Sequence, residues 1–104
     1  MSARDVQINF KFSVSPDELV QAFAPLAGEI AQVNGLRWKV WSMNEAEREF
    51  GGIYLFDDEA AANAYLAGPI VAQVGQHPAV SEISVKQFDV LEALSTVTRG
   101  PLQS

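Results

Sequence analysis

His77 is the first residue in this sequence whose type suits catalysis. It is the only histidine in 104 residues, and it precedes Pro78, which favours an extended backbone. An imidazole can accept or donate a proton near neutral pH, although a lone loop histidine is more often simply solvated. Cysteine is absent, so thiol nucleophiles, disulfides, iron–sulfur clusters and zinc–thiolate sites are excluded, and the single histidine excludes a multi-histidine metal site within one chain.

Two tryptophans and an asparagine suggest a binding pocket. Trp38 and Trp41 are three residues apart in a predicted strand, so their side chains point to opposite faces. One of the two could line a pocket for a planar aromatic ligand, with core filling as the alternative. Asn9 alternates with apolar residues in the first predicted strand. It could orient a ligand carbonyl or phenol, or it could simply face water.

Charged and glycine-rich stretches give less specific signals. Arg37 and Lys39 share a strand face and could steer an anionic group, but the many acidic residues favour ion pairing for both. The acidic run at 57–59 stands at a helix start, where the helix dipole favours it, so it indicates capping rather than a metal site. Gly51 and Gly52 open a strand with no helix directly after it. They indicate a bulge or a close backbone approach rather than a phosphate-binding loop.

These candidates lie on a predicted β-α-β-β-α-β chain. Strict alternation marks the first strand, and Ser15, Pro16 and Glu18 give the start of a helix that the Asn34–Gly35 pair would end. The remaining predicted elements are strands at 36–44, 51–57 and 80–90, a helix from Asp57 or Asp58 to Leu66, helical turns at 70–74 and a short helix at 91–97. The last residues, 98–104, are expected to fray.

The element order predicts a single ferredoxin-like α+β domain over residues 1–104, with a four-stranded antiparallel sheet and helices on one face. The second face would be apolar, because Trp41 and Met43 share one side of their strand and Tyr54 and Phe56 share a side of theirs. An apolar second face needs a cover, and a second copy of the chain would supply one. We therefore predict a homodimer; the alternative is that these side chains fill the core.

Composition excludes several partners. Hydrophobic residues make up 48% of the chain, and the net charge is -6 with a pI near 4.5, so the chain lacks the basic surface that nucleic acid requires. The sequence has no apolar run long enough to span a membrane, and its first ten residues have no apolar signal core. We expect a cytoplasmic protein with no nucleic-acid or membrane partner.

The segment from Gly35 to Leu66 closely resembles the YdhR-like mono-oxygenase family. It contains W-K-V-W ahead of G-G-I-Y-L-F, followed by a helix that ends in A-Y-L. "PLAGEI" before this segment and "KQFDV" after it also match, so the resemblance covers roughly Val6 to Leu94. The family is similar to the dimeric α/β-barrel superfamily, in which two ferredoxin-like chains pack their sheets face to face.

The resemblance implies a cofactor-independent mono-oxygenase that oxidises a small aromatic or polyphenolic substrate, with no metal and no other cofactor. The expected pocket lies between sheet and helices, where Trp38 or Trp41 would stack on the substrate. Tyr54, which matches the family signature, is a further candidate for binding it. His77 or Asn9 would hold or accept the phenolic proton.

Two other functions fit the same scaffold: a non-catalytic ligand-binding or stress-response homodimer, and an isomerase or cyclase of polyketide type.

A haem-degrading branch of the superfamily uses an Asn, a Trp and a His. Asn9 and His77 resemble two of these residues. Both tryptophans, however, lie in the second predicted strand rather than between the third strand and His77. The resemblance therefore does not extend to the haem-degrading set.

Overall fold

Four antiparallel strands form the sheet in this computed structural model, which describes residues 3–103. The strands are β1 (Arg4–Phe12), β2 (Leu36–Asn44), β3 (Glu49–Phe56) and β4 (Val80–Asp89). The helices are α1 (Pro16–Ala31), α2 (Glu59–Leu66), α3 (Pro69–Gly75) and α4 (Glu92–Val97). The spatial order β2-β3-β1-β4 is that of a ferredoxin-like α+β fold, which confirms the predicted fold class.

Short polar side chains cap the two larger helices as the sequence predicts. The Ser15 hydroxyl oxygen accepts a hydrogen bond from the Glu18 backbone N–H at 3.2 Å, and Asp58 accepts one from the Ala61 N–H at 2.8 Å. The end of α1 differs from the prediction. The helix stops at Ala31, because the backbone bonds after it shift to three-residue spacing and tighten the last turn. Gly35, with φ of +82°, belongs to the turn that follows.

The core lies between the sheet and α1. Alternate side chains of β1 point toward the helices and are buried against the apolar stripe of α1. The buried side chains on the two elements are Val6, Ile8, Phe10 and Phe12 from β1, and Leu19, Phe23, Leu26 and Ile30 from α1.

The four residues predicted to form an apolar second face lie on the helix side instead. Tyr54 is opposite Val6 in the β1–β3 register, which turns Tyr54 and Phe56 into the core, where they are 4% and 0% exposed. Trp41 and Met43 pack against the same core. The alternative of core filling is therefore correct for these side chains, and the reasoning that placed them on the second face is wrong.

The other side of the sheet, which we call the open face, carries a different apolar set. Trp38 is opposite Leu55 and Val40 is opposite Ile53. Val40 is 54% exposed and Ile53 is 40% exposed, and Phe88 on β4 is 45% exposed. The open face is thus partly apolar, as the sequence suggested, but through other residues.

The last described residues, 98–103, form a C-terminal strap that crosses the sheet from the β4 edge to β2. The Trp38 Nε1–H donates a hydrogen bond to the Pro101 carbonyl at 2.6 Å, and Arg37 Nη1 donates one to the Leu102 carbonyl at 2.5 Å. The expectation that this segment frays is wrong, because these two β2 side chains bind its backbone. Ser104 lies outside the described residues.

Candidate functional site

A small cavity opens between the sheet and the helices, with a volume of about 30 Å³ for the centres of water-sized molecules. Its walls come from every strand and from the first three helices. The lining side chains are Ile8, Phe10, Phe23, Leu26, Ile30, Lys39, Trp41, Phe50, Tyr54, Tyr65, Val71, Val74 and Ile83, with Gly51. Most of these are aliphatic or aromatic. A concave apolar site with few polar groups suits a small apolar ligand.

Lys39 is the one cationic residue in this lining. Its Nζ lies 3.2 Å from the centroid of the Trp41 ring and 4.4 Å from the centroid of the Tyr54 ring. The side chain passes close to Gly52, where an added Cβ would lie 2.7 Å from Lys39 Cε and 2.6 Å from the Val40 carbonyl oxygen. The sequence prediction of a close backbone approach at the glycine pair is confirmed. At Gly52 the missing side chain leaves room for the lysine.

Burial lowers the pKa of Lys39 to about 7, because the apolar surroundings penalise the ammonium. The faces of Trp41 and Tyr54 act in the opposite direction, since an aromatic face stabilises a cation. Among residues 3–103, no carboxylate lies within 4 Å of Lys39. The prediction of ion pairing is therefore wrong for Lys39, whereas it is confirmed for Arg37, whose Nε lies 2.7 Å from Asp57 Oδ1.

Two phenols form the other polar group of the cavity. The Tyr54 and Tyr65 hydroxyls are 3.1 Å apart and share a hydrogen bond. Burial raises the pKa of both tyrosines, and the Tyr65 hydroxyl beside it raises that of Tyr54 further. Both phenols therefore keep their protons at neutral pH. The phenol that accepts the shared hydrogen bond can donate its own O–H to a ligand, and neither phenol acts as a base there.

The cavity contains two of the five residues that the sequence singled out. Trp41 and Tyr54 line it and face Lys39. Trp38 is on the open face, because its register partner is Leu55. Asn9 is also on the open face, where it lines a shallow depression with Ser42. Neither can act inside this cavity.

His77 lies just outside the cavity, in the turn between α3 and β4. Its Nδ1 accepts a hydrogen bond from the Ala79 N–H at 3.1 Å, and its backbone N–H donates to the Val74 carbonyl at 3.1 Å. Its ring packs against Phe23 with 5.5 Å between centroids, and Phe23 separates it from the cavity. These contacts hold the His77 side chain in the turn.

Sequence reasoning missed Lys39 and Tyr65 as site residues. A signal for Lys39 was present: it stands two residues before Trp41 on the same face of an alternating strand, so it shares that residue's apolar surroundings. Tyr65 had only its place in the A-Y-L motif as a signal, because its contact with Tyr54 joins α2 to β3 and depends on how the helix docks.

Neither a metal-binding cluster nor a helix able to span a membrane is present among residues 3–103. No group of three or more His, Asp or Glu side chains is placed to hold a metal ion within this range. In the same part of the chain, no helix is both long and apolar enough to cross a membrane.

Comparison with known proteins gives one family match and several structural neighbours. The family described as "Putative mono-oxygenase ydhR" matches residues 6–101. No curated protein matches the sequence significantly.

Three solved structures illustrate the likeness in fold. NE2512 from Nitrosomonas europaea, a protein of unknown function, has a TM-score of 0.74 at 18% identity and aligns over 88% of this chain and 91% of its own. SnoaB from Streptomyces nogalater, a cofactor-independent oxygenase, has a TM-score of 0.70 at 18% identity, covering 86% and 94%. The heme-degrader MhuD from Mycobacterium tuberculosis has a TM-score of 0.65 at 22% identity, covering 84% and 95%. At these identities the likeness shows the fold alone.

Proposed function

The chain belongs to the ydhR mono-oxygenase family, and on this premise we propose that it is a cofactor-independent mono-oxygenase of small aromatic or polyphenolic substrates. The observation that carries the proposal is the Lys39 amine inside an apolar, aromatic cavity. Oxygenation without a cofactor requires a base that removes the substrate's phenolic proton. Lys39 can be that base at neutral pH, because burial lowers its pKa to about 7.

The substrate ring would stack against Trp41, with its hydroxyl toward Lys39. The neutral amine takes the phenolic proton, and the ammonium that forms stabilises the phenolate beside it. The electron-rich anion then reduces O₂. One oxygen atom replaces ring hydrogen to give a quinone carbonyl, and the other leaves as water, so that a phenol and O₂ become a quinone and H₂O. The apolar walls restrict water around the anion during this step.

Oxygen uptake by chelator-treated protein tests this function. The substrates would be hydroquinones, catechols and anthrone-like phenols, and boiled protein would correct for autoxidation. We expect Lys39→Met to lower the rate at least about a hundredfold, as loss of a general base does. Lys86→Met, at an exposed position on β4, should keep the wild-type rate. Asn9→Ala and His77→Ala test the two bases that the sequence suggested, and we expect both variants to stay active.

The rate should rise with pH through about 7, because the base works only after losing its own proton. The titratable side chains that line the cavity with Lys39 are Tyr54 and Tyr65, and both keep their protons in this range. A rate no faster than that of boiled protein for every substrate would refute the oxygenase proposal.

A homodimer through the open face is part of the proposal. Val40 and Ile53 are neighbours there and are about half exposed, and Phe88 adds to the apolar surface. Packing two such faces together would bury these side chains and follow the common two-fold arrangement. Sedimentation should give a dimer for the wild type and a monomer for Ile53→Lys. Val20→Lys changes a similarly exposed residue on α1 and should remain dimeric.

The second candidate is a non-catalytic homodimer that binds a small apolar ligand in the same cavity. The placement of Asn9 and His77 outside the cavity favours it, since neither can contribute to catalysis there. Ligand-dependent quenching of tryptophan fluorescence without oxygen uptake, for the same phenols, would support this function over the oxygenase.

A further inference from the structure

The three lysines of the chain differ sharply in their surroundings. Lys11 Nζ donates a hydrogen bond to the Glu47 carbonyl at 3.0 Å, and Lys86 is exposed on β4. Lys39 alone lines the cavity between sheet and helices. Among residues 3–103 there is therefore one primary amine in an apolar pocket, and two lysines outside it serve as internal references.

The backbone around Lys39 reserves space for its side chain. Any residue larger than glycine at position 52 would collide with Lys39 Cε or with the Val40 carbonyl. Trp41 and Tyr54 then hold the amine at the cavity wall, without a carboxylate within 4 Å among residues 3–103. A fixed amine with no counter-ion, facing apolar space, is placed to react with an uncharged electrophile.

We propose that Lys39 captures small apolar aldehydes, aromatic aldehydes above all, as a reversible imine inside the cavity. The nitrogen lone pair attacks the carbonyl carbon, and the carbonyl oxygen takes up a proton to give a carbinolamine. The hydroxyl then leaves as water while nitrogen loses its protons, so that amine and aldehyde become imine and H₂O. The reaction needs no oxidant or reductant, and it does not depend on the proposed oxygenase function.

Several features of the cavity favour this reaction. At pH 7 about half of the Lys39 side chains carry a lone pair, compared with about one in three thousand for a lysine with the ordinary pKa of 10.5. The ring of an aromatic aldehyde would contact the phenylalanine side chains of the wall. Of the protonated Tyr54 and Tyr65 phenols in the same cavity, the one that accepts their shared hydrogen bond keeps its own O–H as a donor for the departing hydroxyl.

Reductive trapping tests the proposal on the wild-type protein. Benzaldehyde and sodium cyanoborohydride would be added at pH 7 under nitrogen, so that oxygenase chemistry does not contribute. The reductant converts each imine to a stable benzyl amine, and peptide mapping by mass spectrometry measures labelling at Lys39, Lys11, Lys86 and the α-amino group separately. Glyceraldehyde, which is polar, serves as the comparison probe. Lys39→Met is the control for assignment of the labelled peptide.

We expect Lys39 to be labelled by benzaldehyde at least about tenfold faster than Lys86, given its larger neutral fraction. That preference should fall by at least about threefold with glyceraldehyde, because a polar probe is disfavoured in an apolar site. Equal labelling of Lys39 and Lys86 by benzaldehyde would overturn the proposal. So would an equal preference for Lys39 with both aldehydes, since the cavity would then contribute no selection.

Discussion

Replacing Lys39 with methionine should stabilise the protein, and the gain should depend on pH. Methionine is unbranched and apolar, so it can follow the lysine's path past Gly52 and keep contact with the Trp41 ring. The substitution removes an amine whose charged form is disfavoured by burial. The cost of holding that charge in the folded state disappears with it.

The size of the effect follows from the two pKa values of the lysine. In the unfolded chain the amine keeps its proton up to about pH 10.5, whereas in the folded protein it loses it near pH 7. Between these values the unfolded state binds more protons, so wild-type stability rises with pH. The full shift corresponds to a free-energy cost of about 5 kcal/mol at pH 6.5 and about 1 kcal/mol at pH 9.5.

Two features make the expected gain in stability smaller than these free-energy costs. The amine retains some contact with solvent, and the cation–π contacts with Trp41 and Tyr54, worth about 1–2 kcal/mol, are lost in the variant. We therefore expect Lys39→Met to raise the free energy of unfolding by about 2 kcal/mol at pH 6.5 and by less than about 1 kcal/mol at pH 9.5.

Urea denaturation at both pH values, at one protein concentration, measures this difference. Lys86→Met is the matched control, because it removes an exposed lysine and should show no comparable change between the two conditions. A variant that is less stable than the wild type at pH 6.5, or a stability gain that stays the same at both pH values, would refute the reasoning.

Three further sets of substitutions test other parts of the structure. Tyr65→Phe leaves the buried Tyr54 hydroxyl without its partner and should lower the free energy of unfolding in urea by about 1–3 kcal/mol. A second change, Tyr54→Phe, should restore part of that stability. A double variant less stable than the single variant would contradict this account of the pair. Gly51→Ala places a Cβ 1.9 Å from a β1 carbonyl oxygen and should lower the free energy of unfolding by about 3 kcal/mol or more. Gly28→Ala is the matched control, because its Cβ meets nothing within 4 Å, and it should raise the free energy of unfolding by about 0.5–1 kcal/mol. Similar melting temperatures for the two variants would contradict this. Trp38→Phe removes the hydrogen bond to the C-terminal strap and should speed trypsin cleavage after Arg99. An unchanged cleavage rate would show that this hydrogen bond does not hold the strap in place.

The fold was predictable because its signals are local. Strict alternation defines β1, and the Ser15 and Asp58 caps mark where helices begin. The order of the elements then restricts the topology to very few arrangements. What could not be predicted was which sheet face meets the helices, since both faces of β2 carry a tryptophan and aliphatic side chains.

The register of β2 shows why that assignment needs a structure. One extra residue, Arg37, interrupts the pairing with β3, so Leu36 and Lys39 both turn toward the core although they are three residues apart. A regular strand would place residues at that spacing on opposite faces. Such a shift belongs to the pairing of the two strands, and no local pattern in the sequence indicates it.

The candidate site was predictable only in part for a related reason. Trp41 and Tyr54 could be identified by their size and type. The importance of Lys39 depends instead on burial, and burial follows from the face assignment. His77 was a candidate because it is the only histidine in the sequence. The rarity of a residue type does not indicate where its side chain lies in the fold.

The two tryptophans stand on opposite sides of one strand, and this gives the protein two separate optical reporters. Trp41 is in contact with the Lys39 amine, so its emission should follow the protonation of that amine and the filling of the cavity. Trp38 is bound to the strap and should respond instead to events at the open face. Two single-tryptophan forms of the chain would therefore report ligand entry and subunit association as separate signals, recorded at one excitation wavelength and without any attached dye.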